Sequence, residues 1–252
     1  MDRPLVIAHR GYSDRGPENT LTAYKLGWNS GADGIECDVH LTKDGQLVCI
    51  HDYDTKRVAG KNLEIAKHEW EDLHSLDVGS WKDLAWKGEG IPLLKDALIE
   101  GPNDLLWVVE IKCGEESVEP LLAAIDEIGL VIWERITVIS FNDDPLARLK
   151  QLRPSNKAYW LFELNEGEGG LFVPSVDGIV AKVKSLGVDG FGGQSGHGIS
   201  QELSRALKKS KLELNVSTVN DDKEAIRMAH LGVTSINTND PKGIMDALAT
   251  ES

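Results

Sequence analysis

Eight apolar runs of strand length recur along the chain: LVIAHRG, GIECDVH, LLWVVEIK, ITVISF, AYWLF, VDGFGG, ELNVSTV and VTSINT. Helical patterns lie between them. In EESVEPLLAAIDEIG, Val118, Leu121, Leu122 and Ile125 follow the i, i+3, i+4, i+7 spacing of one helix face, and DDKEAIRMAHLG opens on a capping Asp and closes on Gly. Strands that alternate with helices pair in parallel, because a parallel connection must cross over the sheet. Eight such units predict an α/β fold, a closed (β/α)8 barrel, with a doubly wound open sheet as its rival. The 252 residues suit one barrel domain spanning 1–252. Only residues 52–91 break the rhythm. That stretch is too long for a βα loop and carries Trp70, Trp81 and Trp86 without a strand pattern, so it reads as a small helical insertion after strand two, over the barrel mouth, with the tryptophans in its core.

Charge narrows the partners. With 27 Lys+Arg against 41 Asp+Glu the net charge is −14, which argues against nucleic-acid binding through a broad basic surface. A small anionic substrate remains open if cations are gathered in one pocket. The amino-terminal MDRPLVIAHRG is too short in apolar residues for a signal core or membrane span, and the expected location is cytoplasmic. Cys37, Cys49 and Cys113 each fall in a strand run, with no CxxC pair, and read as reduced core thiols.

The second run carries an anomaly. Residues two apart on a strand share a face, so Ile35, Cys37 and Val39 take one side while Glu36 and Asp38 share the other. Two like charges that close perturb each other or share a cation. Downstream, Asp44-Gly45 is a two-residue hairpin signal, which would make Asp38 and His51 direct cross-strand partners. The first run ends in His9 and Arg10, and the third in Glu110 and Lys112. In a parallel barrel these strand ends converge on one mouth.

The residue types then suggest the chemistry. Glu36, Asp38 and Glu110 offer hard oxygen ligands, which suit Mg²⁺ or Ca²⁺ ahead of Zn²⁺. Arg10 and Lys112 suit a phosphate. His9 and His51 can act as an acid/base pair near neutral pH. Together they describe phosphodiester cleavage. In PENT, Pro17 fits the first turn of a helix and Glu18 its positive end; the other reading is that Glu18 and Asn19 brace the HRG loop or the ligands. GFGGQSGHG, residues 190–198, reads as a plain flexible loop, with His197 exposed.

HRG, PENT, GADGIECDVHLTKDGQLVCIHD, IPLLKDAL and EIK closely resemble the glycerophosphodiester phosphodiesterase family, densely over residues 7–112 and more weakly beyond. The resemblance implies a TIM barrel with residues 52–91 as the family's insertion. It implies one divalent ion on Glu36, Asp38 and Glu110, His9 and His51 as general acid and base, and Arg10 and Lys112 as phosphate ligands. The implied reaction is attack of a glycerol hydroxyl on phosphorus, a cyclic phosphate, and its opening by water to glycerol 3-phosphate and an alcohol. Its partner is a small glycerophosphodiester, with no membrane span; a homo-oligomer is compatible with the pattern. Other readings are a lysophospholipase D or sphingolipid-type phospholipase D, or a non-catalytic phosphodiester-binding barrel. Two places depart from the family pattern. Ser217 stands where a tryptophan usually lines the glycerol pocket, leaving Phe141, Trp160 and Phe191 as candidates for a replacement wall. The last strand ends Thr238-Asn239-Asp240-Pro241 in place of Thr-Asp-x-Pro.

Overall fold

The computed structural model describes residues 3–167 and 172–250. Its strands are β1 (Leu5–Ala8), β2 (Gly34–Leu41), β3 (Leu47–Cys49), β4 (Leu106–Ile111), β5 (Ile136–Ser140), β6 (Lys157–Phe162), β7 (Asn165–Glu166), β8 (Phe172–Val173), β9 (Gly190–Gln194), β10 (Glu213–Ser217) and β11 (Ser235–Thr238). Eight of them run in parallel in the order β1-β11-β10-β9-β6-β5-β4-β2, and β1 pairs with β2 to close the ring. The open doubly wound sheet is therefore excluded. The short β3 pairs antiparallel with β2, and β7 pairs with β8 outside the barrel.

Alternation along each strand separates two cores. Ile35, Cys37 and Val39 of β2 join Trp107, Val109 and Ile111 of β4 in the large cluster between strands and helices. Ile7, Val108, Ile139, Tyr159 and Leu161 point the other way and form the packed interior of the barrel. The helices are the ones the pattern predicts. Val118–Asp126 buries Val118, Leu121, Leu122 and Ile125. Asp222–Leu231 begins where the Asp221 carboxylate accepts from Glu224 N–H and ends at Gly232, whose φ of 74° suits a left-handed cap. The three cysteines are free, two of them buried. No described helix is long and apolar enough to cross a membrane.

The hairpin differs from its expected form. Val39 pairs with Cys49 and Leu41 with Leu47, one residue off the register of a two-residue turn. Gly45 alone takes positive φ (80°), and Thr42 N–H bonds to the Gln46 carbonyl, so Lys43, Asp44 and Gly45 form a three-residue loop. Asp38 thus faces Ile50, whose N–H donates to the Asp38 carbonyl, and His51 lies one residue further on.

Residues 52–91 do form short helical turns, Lys56–Ala59, Ile65–Lys67, Trp70–Leu73 and Leu84–Trp86. Their core is aliphatic: Val48, Ile50, Val58, Ile65, Leu73, Val78 and Ile91. Only Trp70 of the three tryptophans packs on it, while Trp81 is 41% exposed beneath the Arg57 guanidinium. The Gly-rich run also divides: Gly190–Gln194 pairs with β6 and β10 as strand β9, where Cβ atoms at Gly190 and Gly192 would collide with Tyr159 and Leu161, and the loop begins at Ser195. His197 is exposed.

Candidate active site

The C-terminal ends of the barrel strands surround a cavity of about 290 Å³ lined by His9, Arg10, Glu36, His51, Glu110 and Lys112, with Phe141, Phe162, Ser217 and Asn237 among its other walls. Asp38 lies directly behind this lining, fully buried. Oxygen atoms of Glu36, Asp38 and Glu110 all lie within 4.8 Å of one another.

Burial, and then the charges of Asp38 and Glu110, push the Glu36 carboxyl well above its usual range. Burial and the Asp38 charge likewise raise Glu110 to about 7. Asp38 is also opposed by burial, but Arg10 and Lys112 outweigh it and hold its carboxyl low. Glu36 Oε1 and Asp38 Oδ1 are buried without a hydrogen-bond donor. Two carboxylate oxygens without a hydrogen-bond donor in a three-carboxylate cluster fit a hard divalent cation, which would add positive charge to that of Arg10 and Lys112.

The HRG turn is built to present its side chains inward. Arg10 takes a φ of 55°, its N–H donates to Glu36 Oε2 at 2.8 Å, and its guanidinium Nε lies 3.0 Å from Asp38 Oδ2. Gly11 follows at φ 80°, against the backbone of Ala23. On β4, Lys112 Nζ donates to Glu110 Oε1 at 2.7 Å and stands 3.6 Å from Asp38 Oδ1. Both cations thus sit beside the carboxylate cluster and face the cavity.

Glu18 and Asn19 brace this arrangement. The helix after them starts at Leu21 with Thr20 as its cap, so Pro17 and Glu18 precede it and the helix-start reading fails. Asn19, at φ 56°, donates from Nδ2 to Asp38 Oδ2 at 2.8 Å and accepts the Asp38 N–H on Oδ1. Glu18 accepts from Arg10 Nη1 at 3.0 Å. Phe191 is a correction: it points away from the barrel axis, fully buried against Trp160 with ring centroids 5.8 Å apart, and does not reach the cavity. Trp160 also lies on the outer face, whereas Phe141 and Ser217 do line the cavity.

The two histidines have different partners. His9 Nδ1 is 2.7 Å from Asn239 Oδ1, which also accepts from Ser13 Oγ. Its Nε2 is 3.9 Å from Glu36 Oε2. Burial and the Arg10 charge push the His9 imidazole down to about 4, so it is neutral at physiological pH. His51 Nδ1 lies 2.8 Å from Asp52 Oδ1. Burial works against charge on Asp52, but hydrogen bonds from Arg57 and His51 pull its carboxyl down to about 2. Asn239, Asp52 and Arg57 were not among the candidate residues. Asn239 does stand at the end of the last barrel strand, where a barrel's functional groups gather.

The glycerophosphoryl diester phosphodiesterase family model matches residues 9–243. The chain belongs to that family. A glycerophosphodiester phosphodiesterase of Caldanaerobacter subterraneus subsp. tengcongensis is 34% identical over 249 residues, covering 97% of this chain and 97% of the relative. One from Bacillus subtilis is 28% identical over 255 residues, covering 95% of this chain and 85% of its own. Among solved structures, an Oleispira antarctica phosphodiesterase in complex with the product sn-glycerol-3-phosphate superposes with a TM-score of 0.83 at 26% identity, covering 98% of this chain and 97% of that one. This family member keeps the barrel from end to end.

Proposed function

We propose that this protein hydrolyses glycerophosphodiesters to glycerol 3-phosphate and an alcohol, with Mg²⁺ or Ca²⁺ on Glu36, Asp38 and Glu110, and that residues 1–252 act as one catalytic domain. The observation that carries the reading is the gathering of the acidic cluster, Arg10, Lys112 and two differently partnered histidines around one cavity. The oxygen-only ligand set favours a hard cation. When bound, that ion supplies positive charge beside the phosphoryl oxygens and lowers the pKa of a nearby hydroxyl.

The chain's own residues do the rest. Arg10 and Lys112 hold the phosphate and balance the charge that grows on its oxygens. His9 carries its proton on Nδ1, toward Asn239 Oδ1, and so presents a bare Nε2. That nitrogen takes the proton of the glycerol hydroxyl next to the phosphate as its oxygen bonds to phosphorus. The bond from phosphorus to the alcohol breaks, and His51, held by Asp52, protonates the departing oxygen. In the second half His51 takes a proton from water, water oxygen bonds to phosphorus, and His9 returns its proton as the cyclic phosphate opens.

A second reading has support in a neighbouring open cavity of about 850 Å³, which shares Phe141 and Phe162 with the first and adds Trp160, Val173 and Pro174. That apolar stretch suits an acyl chain, and hence a lysophospholipid, while Asn142, Asp143, Asp144 and Lys182 form the polar part of the same wall. Incubating the purified protein with glycerophosphocholine, glycerophosphoethanolamine and lysophosphatidylcholine, with Mg²⁺, Ca²⁺ or chelator, separates the readings. Glycerol 3-phosphate from the first two is the expected product. Faster release of choline from the lysophospholipid would favour the second reading, and binding without turnover under every cation would overturn both.

A further inference from the structure

Arg57 stands on the first helical turn of the insertion, five residues beyond Asp52. Its Nε donates to Asp52 Oδ2 at 2.7 Å and its Nη2 reaches Asp52 Oδ1 at 3.3 Å. The other edge of the same guanidinium grips Glu18, with Nη1 to Oε2 at 3.0 Å and Nη2 to Oε1 at 2.8 Å. Its Cζ lies 5.6 Å from the centre of the Trp81 ring. One planar fork therefore fixes two carboxylates at once. Asp52 accepts from His51 Nδ1, and Glu18 accepts from Arg10 Nη1.

We propose that Arg57 is a positioning residue of the reaction: through Asp52 it sets the ring orientation and tautomer of His51 as the general acid, and through Glu18 it steadies Arg10. The inference rests on the hydrolytic reading above. The physical reason is that a carboxylate held by two parallel N–H groups cannot turn about its own axis, so the direction in which it receives the imidazole N–H is fixed. An orienting carboxylate left to rotate allows the ring to turn or exchange tautomers, and the acid proton is no longer aimed at the leaving oxygen. Glu18 keeps Arg10 as a second cation if Arg57 is removed, so the larger effect falls on the His51 arm. The insertion, on this account, supplies part of the acid catalyst's support, with Trp81 as the platform under the guanidinium.

Leaving-group dependence is a readout that a purely structural ion pair would not move. Choline departs from glycerophosphocholine as an alkoxide that needs a proton, whereas p-nitrophenolate departs from glycerol p-nitrophenyl phosphate without one. Single-turnover release of the leaving group is measured for wild type, Arg57→Gln, Arg57→Lys, Asp52→Asn and His51→Ala, with thermal unfolding as the check on folding. Arg57→Gln is expected to slow choline release about 10- to 100-fold, in the range found for groups that orient a functional histidine, and p-nitrophenolate release less than threefold. Arg57→Lys should recover part of the loss, and Arg57→Gln should add little to Asp52→Asn. Equal losses on both substrates in Arg57→Gln, or no loss on either, overturn the inference; if His51→Ala is still selective for choline in that case, the hydrolytic reading stands. His51→Ala slowing both substrates alike overturns the acid assignment and this inference with it.

Discussion

His9 Nδ1 and Asn239 Oδ1 lie 2.7 Å apart, across 230 residues of sequence, where the first and last barrel strands meet. A neutral amide thus orients the histidine read here as the base. With burial and Arg10 holding His9 at about 4, the base stays unprotonated throughout the physiological range. If His9 is the base, protonation is expected to cost it that role only as pH falls toward that value. At saturating cation, the acid limb of kcat/KM assigned to His9 is expected well below 6, and Asn239→Asp should move it upward by about 1 to 3 pH units, since an adjacent carboxylate favours the imidazolium. Asn239→Ala should lower activity about 10- to 100-fold by freeing the tautomer. A limb that does not move in Asn239→Asp would remove His9 from the base role.

On the proposed reading, a divalent cation and protons compete for the cluster of Glu36, Asp38 and Glu110. Glu110, raised to about 7 from its usual 4.5, binds protons more tightly in the folded metal-free protein than in the unfolded chain. That contribution to stability is present below pH 4.5 and is lost as pH rises through 7. A bound cation removes the repulsion, so the unfolding temperature should rise more on adding Ca²⁺ or Mg²⁺ at pH 8 than at pH 5.5. At a hundredfold excess over Kd the stabilisation is about 2.7 kcal/mol, or roughly 5 to 10 °C for a chain of this size. Glu110→Gln should abolish most of the shift, which scanning calorimetry with and without chelator would register.

If the glycerol hydroxyl is the nucleophile, a substrate that lacks it cannot react. The phosphocholine diester of 1,3-propanediol, without the 2-hydroxyl, should bind and inhibit but release no choline above about 10⁻³ of the normal rate, the scale expected when the attacking group is absent. Turnover comparable to that of glycerophosphocholine would mean that water attacks directly.

Two glycines of positive φ, one in the HRG turn and one in the β2–β3 loop, should respond differently to alanine. A Cβ at Gly11 would come within 2.5 Å of the Ala23 backbone, and its φ is 80°, so Gly11→Ala combines conformational strain with a collision and should cost about 2 to 5 kcal/mol. Gly45 has the same φ but nothing within 4 Å, and Gly45→Ala should cost only about 1 to 2 kcal/mol. Denaturant unfolding of the two variants compares them directly. Equal losses would mean that the HRG turn has room to relax.

Period-two alternation placed Glu36 and Asp38 on one face of β2, and the eight-fold rhythm of strands and helices placed His9, Glu110 and Lys112 at the same end of the barrel. These are local signals, fixed by residue spacing. His51 came out one residue wrong because Asp-Gly can serve two turn types, and only the backbone shows that Gly45 alone is left-handed. Phe191 was misplaced because its neighbours are glycines, which offer no apolar contrast to mark the inner face of β9. The contacts of Asn239 with His9 and of Arg57 with Asp52 and Glu18 are not legible in the sequence for a different reason. These partners are chosen by ring closure and by the path of the insertion, and neither is written in the spacing of nearby residues.

The most direct test of the account is ³¹P NMR of glycerophosphocholine with the purified protein under three conditions: Mg²⁺ or Ca²⁺ present, chelator added, and cation restored. Glycerol 3-phosphate is expected to accumulate in the first, stop in the second and resume in the third, and His9→Ala and His51→Ala should each slow it at least about 100-fold. Glycerol 3-phosphate formed at an unchanged rate in chelator, or by the two histidine variants, would contradict it.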